Sequence, residues 1–274
     1  FARYDDTMID LEWIIVILVY TALIQDRETT MRILKHFILL NLFLVFPSSI
    51  IWSAEPDIVF LLIGQSNMAG RAHLIDGDDK SIGTTLLFDD KGEWIPATNP
   101  LNRFATDRKV ISMQRIGPGA GFAAAINEAL DDTRVGLVVN ARGGSSIDQW
   151  MKGQPLYDNA IERIKDVPRE KFAGVIWHQG ESNADDPKYI EKARLLVNHL
   201  RTDLEKKDLV FIAGEVFGEK NVNKLLNKLP ESISKCAVVS AKGLKVFDGV
   251  HFDRESQLEL GRRYAKAWLT LTKK

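Results

Sequence analysis

From residue 57 onward, short apolar runs alternate along the chain with segments that place apolar residues at helical spacing. The run from Asp57 to Ile63 is almost continuously apolar and ends at Gly64, which is typical of a strand buried on both faces. Further apolar runs lie at 135–140, 172–177, 209–213 and 237–240. Amphipathic helices are predicted at 121–131, 156–164, 189–204, 222–229 and 256–271. Because the connections are short, this alternation predicts an α/β fold, a three-layer α/β/α sandwich with a central parallel sheet.

The stretch from 71 to 116 interrupts this alternation, because it is polar, rich in glycine and aspartate, and only weakly periodic. It predicts one short strand, at 85–88. Long excursions beside a first strand often shape a substrate cleft. We therefore expect this stretch to form part of the wall of a site.

The N-terminal part has the pattern of a secretory signal peptide at residues 31–54. Two basic residues, Arg32 and Lys35, precede an apolar run at 37–46, and small residues follow near Ala54. The run is shorter than the ~20 residues that a membrane span needs. We predict cleavage near Ala54, a secreted or periplasmic protein, and no stable membrane association after cleavage.

Residues 1–30 precede this leader and contain a second apolar stretch at 13–24. Three interpretations of them stay open: translated upstream sequence, the end of a fragment, or a membrane anchor. Residues 55–274 are numerous enough for one domain with a sizeable core, and we expect them to form a single domain.

Composition and charge exclude several classes of protein. The chain has 274 residues, 45% of them hydrophobic and 27% charged, which is typical of a globular enzyme. The net charge of −1 gives no broad field that would recruit nucleic acid or an anionic membrane, so no nucleic-acid partner is expected. The single cysteine, Cys236, cannot form an internal disulfide or a zinc cluster and is expected in the core.

The first apolar run is followed by a serine in the sequence GQSNMAG at 64–70. In open α/β sheets the chemistry lies beyond the carboxyl ends of the strands. A serine at a tight strand-to-helix turn presents its hydroxyl there, and its N–H lies near a helix N-terminus, where an oxyanion is stabilised. Ser66 is therefore a candidate nucleophile, with a helix N-cap as the alternative interpretation.

Polar motifs also follow the next two strands. The paired glycines of GGSSIDQW at 143–150 let the backbone approach a ligand closely. In WHQGESN at 177–183, Gln179 can donate its amide to an oxyanion, Glu181 can orient its neighbours, and His178 is a rival base. One glutamate and one histidine without ligand spacing predict no metal site.

The last motif, DGVHFD at 248–253, precedes the final predicted helix. Asp253 is a plausible N-cap for that helix. This leaves Asp248 and His251 in the loop before it, where the aspartate can fold back onto the imidazole Nδ1–H. That contact leaves Nε2 free to take a proton from a serine.

These four motifs in this order resemble the SGNH hydrolase superfamily, and within it the sialate O-acetylesterase and acetylxylan-esterase-like carbohydrate esterases. The resemblance spans nearly all of residues 55–274 and implies a flavodoxin-like fold. It implies that Ser66 attacks an ester carbonyl and that His251, held by Asp248, removes its proton. Neither a metal nor an organic cofactor is needed for this chemistry.

The resemblance also implies an oxyanion hole made by the N–H groups of Ser66 and Gly144 and by one side chain of the third motif. The superfamily has a glycine-x-asparagine-aspartate block there, which QGE replaces in this sequence. We favour Gln179, because an ionised Glu181 would repel an oxyanion. Gln65, Asn67 and Glu181 are expected to support the site.

The implied activity is removal of O-acetyl groups from carbohydrate, either a polysaccharide such as xylan or an O-acetylated sialic acid. Two alternatives stay open at this point. The protein is an esterase for a non-sugar ester, or it is a non-catalytic carbohydrate-binding domain with the same fold.

Overall fold

A computed structural model describes residues 9–22, 55–218 and 220–273 of the chain. Helix α1 (Ile9–Ala22) belongs to one unit, and the described residues from 55 onward belong to a second, compact unit. The signal peptide predicted at 31–54 lies outside the described residues. In the part of the chain that is described, no helix is both long and apolar enough to cross a membrane.

A seven-stranded sheet forms the centre of the second unit. Its strands are β1 (Ile58–Gly64), β2 (Leu86–Phe88), β3 (Trp94–Pro96), β4 (Val135–Val139), β5 (Phe172–His178), β6 (Val210–Gly214) and β7 (Cys236–Val239). They lie in the order β3-β2-β4-β1-β5-β6-β7, and every neighbouring pair is parallel except β2 and β3. The predicted parallel sheet is confirmed, with one antiparallel edge strand that the sequence did not predict.

Seven helices of the second unit follow α1 in the described chain. They are α2 (Ser66–Ala69), α3 (Pro118–Ala129), α4 (Pro155–Arg163), α5 (Tyr189–Asp203), α6 (Asn221–Leu226), α7 (Leu229–Ser232) and α8 (Arg254–Thr272). Short 3₁₀ turns lie at Leu101–Phe104, Ile111–Met113, Ile147–Trp150, Arg169–Lys171 and Glu181–Asn183. Helix α3 begins at Pro118, three residues before the predicted start, because a proline fits the first turn of a helix.

The two faces of the sheet bury two separate hydrophobic clusters. In β1, the side chains of Val59, Leu61 and Ile63 belong to one cluster, with residues of α4, α5, α6 and α7. The alternate side chains, Phe60 and Leu62, belong to the other cluster, with residues of α2, α3 and α8. Because both faces of β1 are covered, its sequence is apolar at every position. The three-layer α/β/α sandwich is therefore confirmed.

Helix α8 fixes the end of the last loop of the site. Its N-cap is Asp253, whose side chain accepts a hydrogen bond from the Ser256 N–H at 2.9 Å, as the sequence predicted. The helix packs tightly on α3, since a Cβ on Gly261 would lie 2.2 Å from the Pro118 carbonyl oxygen. The loop that carries Asp248 and His251 is thus held at its end by a firmly packed helix.

Candidate active site

The predicted nucleophile lies at a turn between β1 and α2 that requires glycine. Gly64 has a φ of +138°, and a Cβ there would lie 2.1 Å from the His178 carbonyl oxygen on β5. Ser66 is the first residue of α2 and is 7% exposed. The N-cap position belongs to Gln65, so Ser66 is not the cap of this helix.

The loop before α8 brings Asp248 and His251 to this serine. The His251 Nε2 lies 3.0 Å from the Ser66 Oγ, and its Nδ1 lies 2.6 Å from the Asp248 Oδ2. An ionised carboxylate only accepts hydrogen bonds, so Nδ1 carries the hydrogen and Nε2 is left to accept one from the serine. The three side chains therefore form one hydrogen-bonded row, as the sequence predicted for their geometry.

The Asp248 carboxylate is held in its charged form by donors of its own loop. Burial opposes that charge, but hydrogen bonds from the His251 ring and from the His251 and Val250 amides outweigh it and lower the Asp248 pKa to about 2. The amides donate to Oδ1 at 2.7 and 3.1 Å. Gly249, with a φ of +87°, lets the chain turn tightly enough to aim them.

Asn67 connects the serine helix to the histidine loop. Its side chain is fully buried, and its Nδ2 donates to the Val250 carbonyl oxygen at 3.2 Å. Its Oδ1 accepts from the Phe252 N–H at 3.0 Å. Because these two partners flank His251 in the sequence, Asn67 fixes the position of the imidazole relative to Ser66.

Glu181 is a further hydrogen-bond partner of the Asn67 side chain. The Asn67 Nδ2 donates to the Glu181 Oε1 at 2.6 Å. Burial raises the Glu181 pKa, although the hydrogen bond from Asn67 acts in the opposite direction. The acid thus supports Asn67, and no described hydrogen bond joins it to Ser66.

His178, the rival base in the sequence, directs its ring nitrogen Nδ1 to Tyr264 and makes no described hydrogen bond with Ser66. Its ring is fully buried, and its Nδ1 is 2.8 Å from the Tyr264 hydroxyl. Burial lowers the His178 pKa to about 3, so the ring is neutral at physiological pH. Its Nε2 faces the Glu181 Oε1 at 3.8 Å, too far for a hydrogen bond.

Replacing Glu181 with glutamine is expected to lower kcat by less than about tenfold. Glutamine has the shape of a protonated glutamate, and its Oε1 still accepts from Asn67, so the connection to the histidine loop survives. The test compares kcat of Glu181→Gln with that of His251→Ala on one acetyl ester. A loss in the first variant as large as in the second would contradict the supporting role assigned to Glu181.

Two backbone N–H groups are available where an oxyanion would form. The N–H of Ser66 is at the first turn of α2, and Gly144 is exposed with a φ of +78°. No described residue accepts a hydrogen bond from either N–H. Within the described part of the chain, neither predicted backbone donor is used by an acceptor of the protein.

Gln179 has a different environment from the one that its predicted role requires. It is fully buried, and its Nε2 lies 2.7 Å from the Asn183 Oδ1 and 3.2 Å from both the Gln65 Oε1 and the Ser145 carbonyl oxygen. An amide nitrogen has two hydrogens, and three internal acceptors surround this one. Gln179 would reach an oxyanion only by giving up one of these contacts, so its role as a donor stays a prediction.

Asn183 and Phe247 are two site residues that the sequence analysis missed. The Asn183 Oδ1 also accepts from the Ile147 N–H at 2.9 Å, which ties the third motif to the Gly144 loop. Phe247 is 45% exposed, and its ring stacks on His251 with 6.1 Å between the ring centroids. In the sequence, the signal that could have identified both residues was their position inside or next to a motif.

Over the described ranges, no group of three His, Cys, Asp or Glu side chains is placed to hold a metal ion.

Comparison with known proteins identifies the family. The model of the family described as "Carbohydrate esterase, sialic acid-specific acetylesterase" matches residues 56–270. A probable carbohydrate esterase of Arabidopsis thaliana is 30% identical over 240 residues, which cover 78% of this chain and 91% of that protein. Its X-ray structure superposes with a TM-score of 0.71 at 28% identity, covering 79% of this chain and 99% of that one.

Two more distant structures share the fold. NanS has a TM-score of 0.60 at 17% identity, covering 79% of this chain and 98% of its own. A carbohydrate acetylesterase from Xanthomonas citri has a TM-score of 0.59 at 22% identity, covering 77% of this chain and 55% of its own. The chain belongs to the carbohydrate esterase family of sialic acid-specific acetylesterases and is a carboxylic ester hydrolase. The resemblance noted in the sequence is confirmed.

Proposed function

We propose that this protein is a secreted serine esterase that removes O-acetyl groups from carbohydrate through an acetyl-Ser66 intermediate. The observation that carries the proposal is the hydrogen-bonded row from Asp248 through His251 to the Ser66 hydroxyl. A serine is a weak nucleophile unless a base takes its proton, and this row supplies the base and the group that orients it.

The first half of the reaction forms the acetyl-enzyme. The Ser66 Oγ attacks the acetyl carbonyl carbon while His251 Nε2 takes the hydroxyl proton. The N–H groups of Ser66 and Gly144 donate to the oxygen on which negative charge develops. His251 then gives its proton to the sugar oxygen as the bond between that oxygen and the acetyl carbon breaks, and the sugar leaves as an alcohol.

The second half releases acetate. His251 takes a proton from water, the resulting hydroxide attacks the acetyl-serine carbonyl, and the same N–H groups stabilise the second oxyanion. The proton returns to Ser66 Oγ as the acyl bond breaks. Gln179 holds Gln65 and Asn183 in this scheme, while the ionised Asp248 stabilises the imidazolium in both halves.

A non-catalytic sugar-binding domain is disfavoured by the same contacts. Such a domain has no use for a serine hydroxyl within hydrogen-bond distance of a histidine that a carboxylate orients. An esterase for a non-sugar ester is disfavoured by the family, whose description names a carbohydrate esterase.

The direct test is acetate release by the full chain from acetylated xylan and from O-acetylated sialic acid, measured side by side. We expect release from at least one of them, with no added metal or cofactor. Release from neither, by protein that hydrolyses a simple aryl acetate, would favour the non-sugar ester.

Mass spectrometry of exported protein is expected to find chains that begin near residue 55, and an intact 1–54 segment there would rule out cleavage.

A further inference from the structure

Phe247 is an exposed aromatic side chain next to the catalytic histidine. It is 45% exposed, and its ring stacks on that of His251 with 6.1 Å between the centroids and 27° between the planes. The His251 Nε2 in turn lies 3.0 Å from the Ser66 Oγ. Among the described residues from 55 to 273, every other phenylalanine, tyrosine and tryptophan is buried or half-buried. The one aromatic residue that this unit leaves exposed is therefore beside the reacting groups.

The exposed apolar side chains of this unit are concentrated and not scattered. Among its described residues, eight large apolar side chains are exposed: seven lie within 74–75, 110–113 and 247–250, and the eighth is Leu195. The first segment reaches the third where the ring centroids of His73 and Phe247 lie 5.7 Å apart. It reaches the second through a β-bridge between Ala72 and Ile116. Connected exposed apolar groups of this kind mark a surface that binds a ligand or partner.

The backbone holds Phe247 in a fixed position. Val246 pairs with Phe252 in an antiparallel β-bridge, and the Phe247 N–H donates to the His251 carbonyl oxygen at 3.0 Å. Phe252 is fully buried, so one side of this turn is anchored in the core. A contact residue that is already ordered costs little conformational entropy when a ligand binds to it.

The path of the proton decides which part of the substrate meets Phe247. In the proposed reaction, His251 Nε2 gives its proton to the leaving sugar oxygen, so that oxygen must come within hydrogen-bond distance of the imidazole. The carbon that carries the oxygen is one bond further away. The leaving sugar therefore lies along the imidazole, where Phe247 is packed.

A sugar ring has a surface that suits an exposed aromatic side chain. One face of a pyranose ring presents C–H groups, while its hydroxyl groups project from the edge. The face of a benzene ring is slightly negative and attracts the slightly positive hydrogens of C–H groups. Stacking removes apolar surface of both rings from water and leaves the hydroxyl groups solvated. An acyclic alcohol has no flat face of this kind.

We propose that Phe247 binds the leaving sugar by stacking against the apolar face of its ring, and that the substrates are sugars acetylated on a ring hydroxyl. This inference rests on the proposed deacetylase function. It makes Phe247 a specificity-determining residue, because the contact favours a ring ester over an acyclic ester that carries the same acetyl group.

The test measures kcat/KM of the full chain on two ring-acetylated sugars, an acetylated methyl xyloside and sialic acid acetylated on its ring, and on glycerol monoacetate. The ratio of kcat/KM on a ring-acetylated sugar to that on glycerol monoacetate is expected to fall about three- to tenfold in Phe247→Ala, the size of one aromatic contact. The loss on the sugar should lie mainly in KM, because stacking holds the sugar equally in the ground state and the transition state. A residue that only supported His251 would instead lower kcat on both esters alike and leave the ratio unchanged.

Two further variants serve as controls. Phe247→Tyr keeps the flat ring and should keep the wild-type ratio. Leu195→Ala is the matched control, because Leu195 is also 45% exposed but lies on α5, outside the four motifs. It should keep the wild-type ratio as well.

Two results would overturn the inference. One is an unchanged ratio in Phe247→Ala on every ring-acetylated sugar that the wild type hydrolyses. The other is wild-type acetate release from sialic acid acetylated on its side chain, with none from either ring-acetylated sugar. Both leave carbohydrate deacetylation intact. Release from no acetylated sugar, by protein that hydrolyses glycerol monoacetate, would instead contradict the proposed function itself.

Discussion

Replacing Ser66 by alanine is expected to lower kcat for acetyl ester hydrolysis by about 10³- to 10⁶-fold. The substitution removes the attacking oxygen and leaves the N–H groups that bind the oxyanion. Ser145 cannot substitute for it, because its hydroxyl already donates to the Arg142 carbonyl oxygen at 2.8 Å and accepts from the Trp150 Nε1 at 2.9 Å. What activity remains should come from binding and from the oxyanion hole alone.

A phosphonate or sulfonyl fluoride probe provides the second measurement for this prediction. The probe should label Ser66 in the wild type and fail to label the Ser66→Ala variant. Ser182→Ala is the control, because Ser182 is exposed next to Glu181 and its backbone N–H is unchanged by the substitution. If the probe marks Ser145, or if Ser66→Ala keeps its esterase activity, the proposed mechanism is wrong.

The convergence of the four motifs could be predicted because it depends on strand order and direction. Strand β1 pairs with β4 and with β5, and all three are parallel. The loops that follow them therefore meet at one edge of the sheet, which brings Ser66, Gly144 and the QGE motif together. The continuous apolar run of β1 indicated a central position in the sheet, since a strand that is covered on both faces is apolar at successive positions.

The edge of the sheet and the network below the serine could not be predicted in the same way. Strand β3 has three residues, one of them Pro96, and its pairing with β2 gives no periodic signal. The Asn67 partners Glu181, Val250 and Phe252 lie 114, 183 and 185 residues away in the chain, so only the fold brings them together. The sequence indicated a polar residue near the site but not the connection that it makes.

Charged and polar residues of the cleft illustrate a second limit. Arg71 is one basic residue among many in the sequence, and only the fold shows that its Nη1 donates to the carbonyl oxygens of Gly70 and Met113. The role of Gln179 is equally hard to predict, because the sequence shows that an amide is present but not which acceptors its hydrogens bind. Most of these hydrogen-bond partners are distant in the sequence, so only the folded structure shows which of them each side chain uses.

Replacing His251 by alanine is expected to lower kcat by about as much as replacing Ser66, roughly 10³- to 10⁶-fold. Without the imidazole, no group takes the proton from the serine or returns one to the leaving sugar. The Ser66→Ala and His251→Ala double variant should be hardly slower than either single variant, because the two residues perform one step together. Losses that multiply in the double variant would contradict this mechanism.

Replacing Asp248 by asparagine should cost less than replacing His251, because the carboxylate holds the imidazole and does not move the proton itself. The Asp248 pKa of about 2 means that this carboxylate stays charged throughout the working pH range of an esterase. In Asp248→Asn the negative charge beside the imidazole is absent, so the plateau of kcat/KM on one acetyl ester should drop, by less than in His251→Ala. An Asp248→Asn plateau equal to that of the wild type would mean that Asp248 does not act on His251.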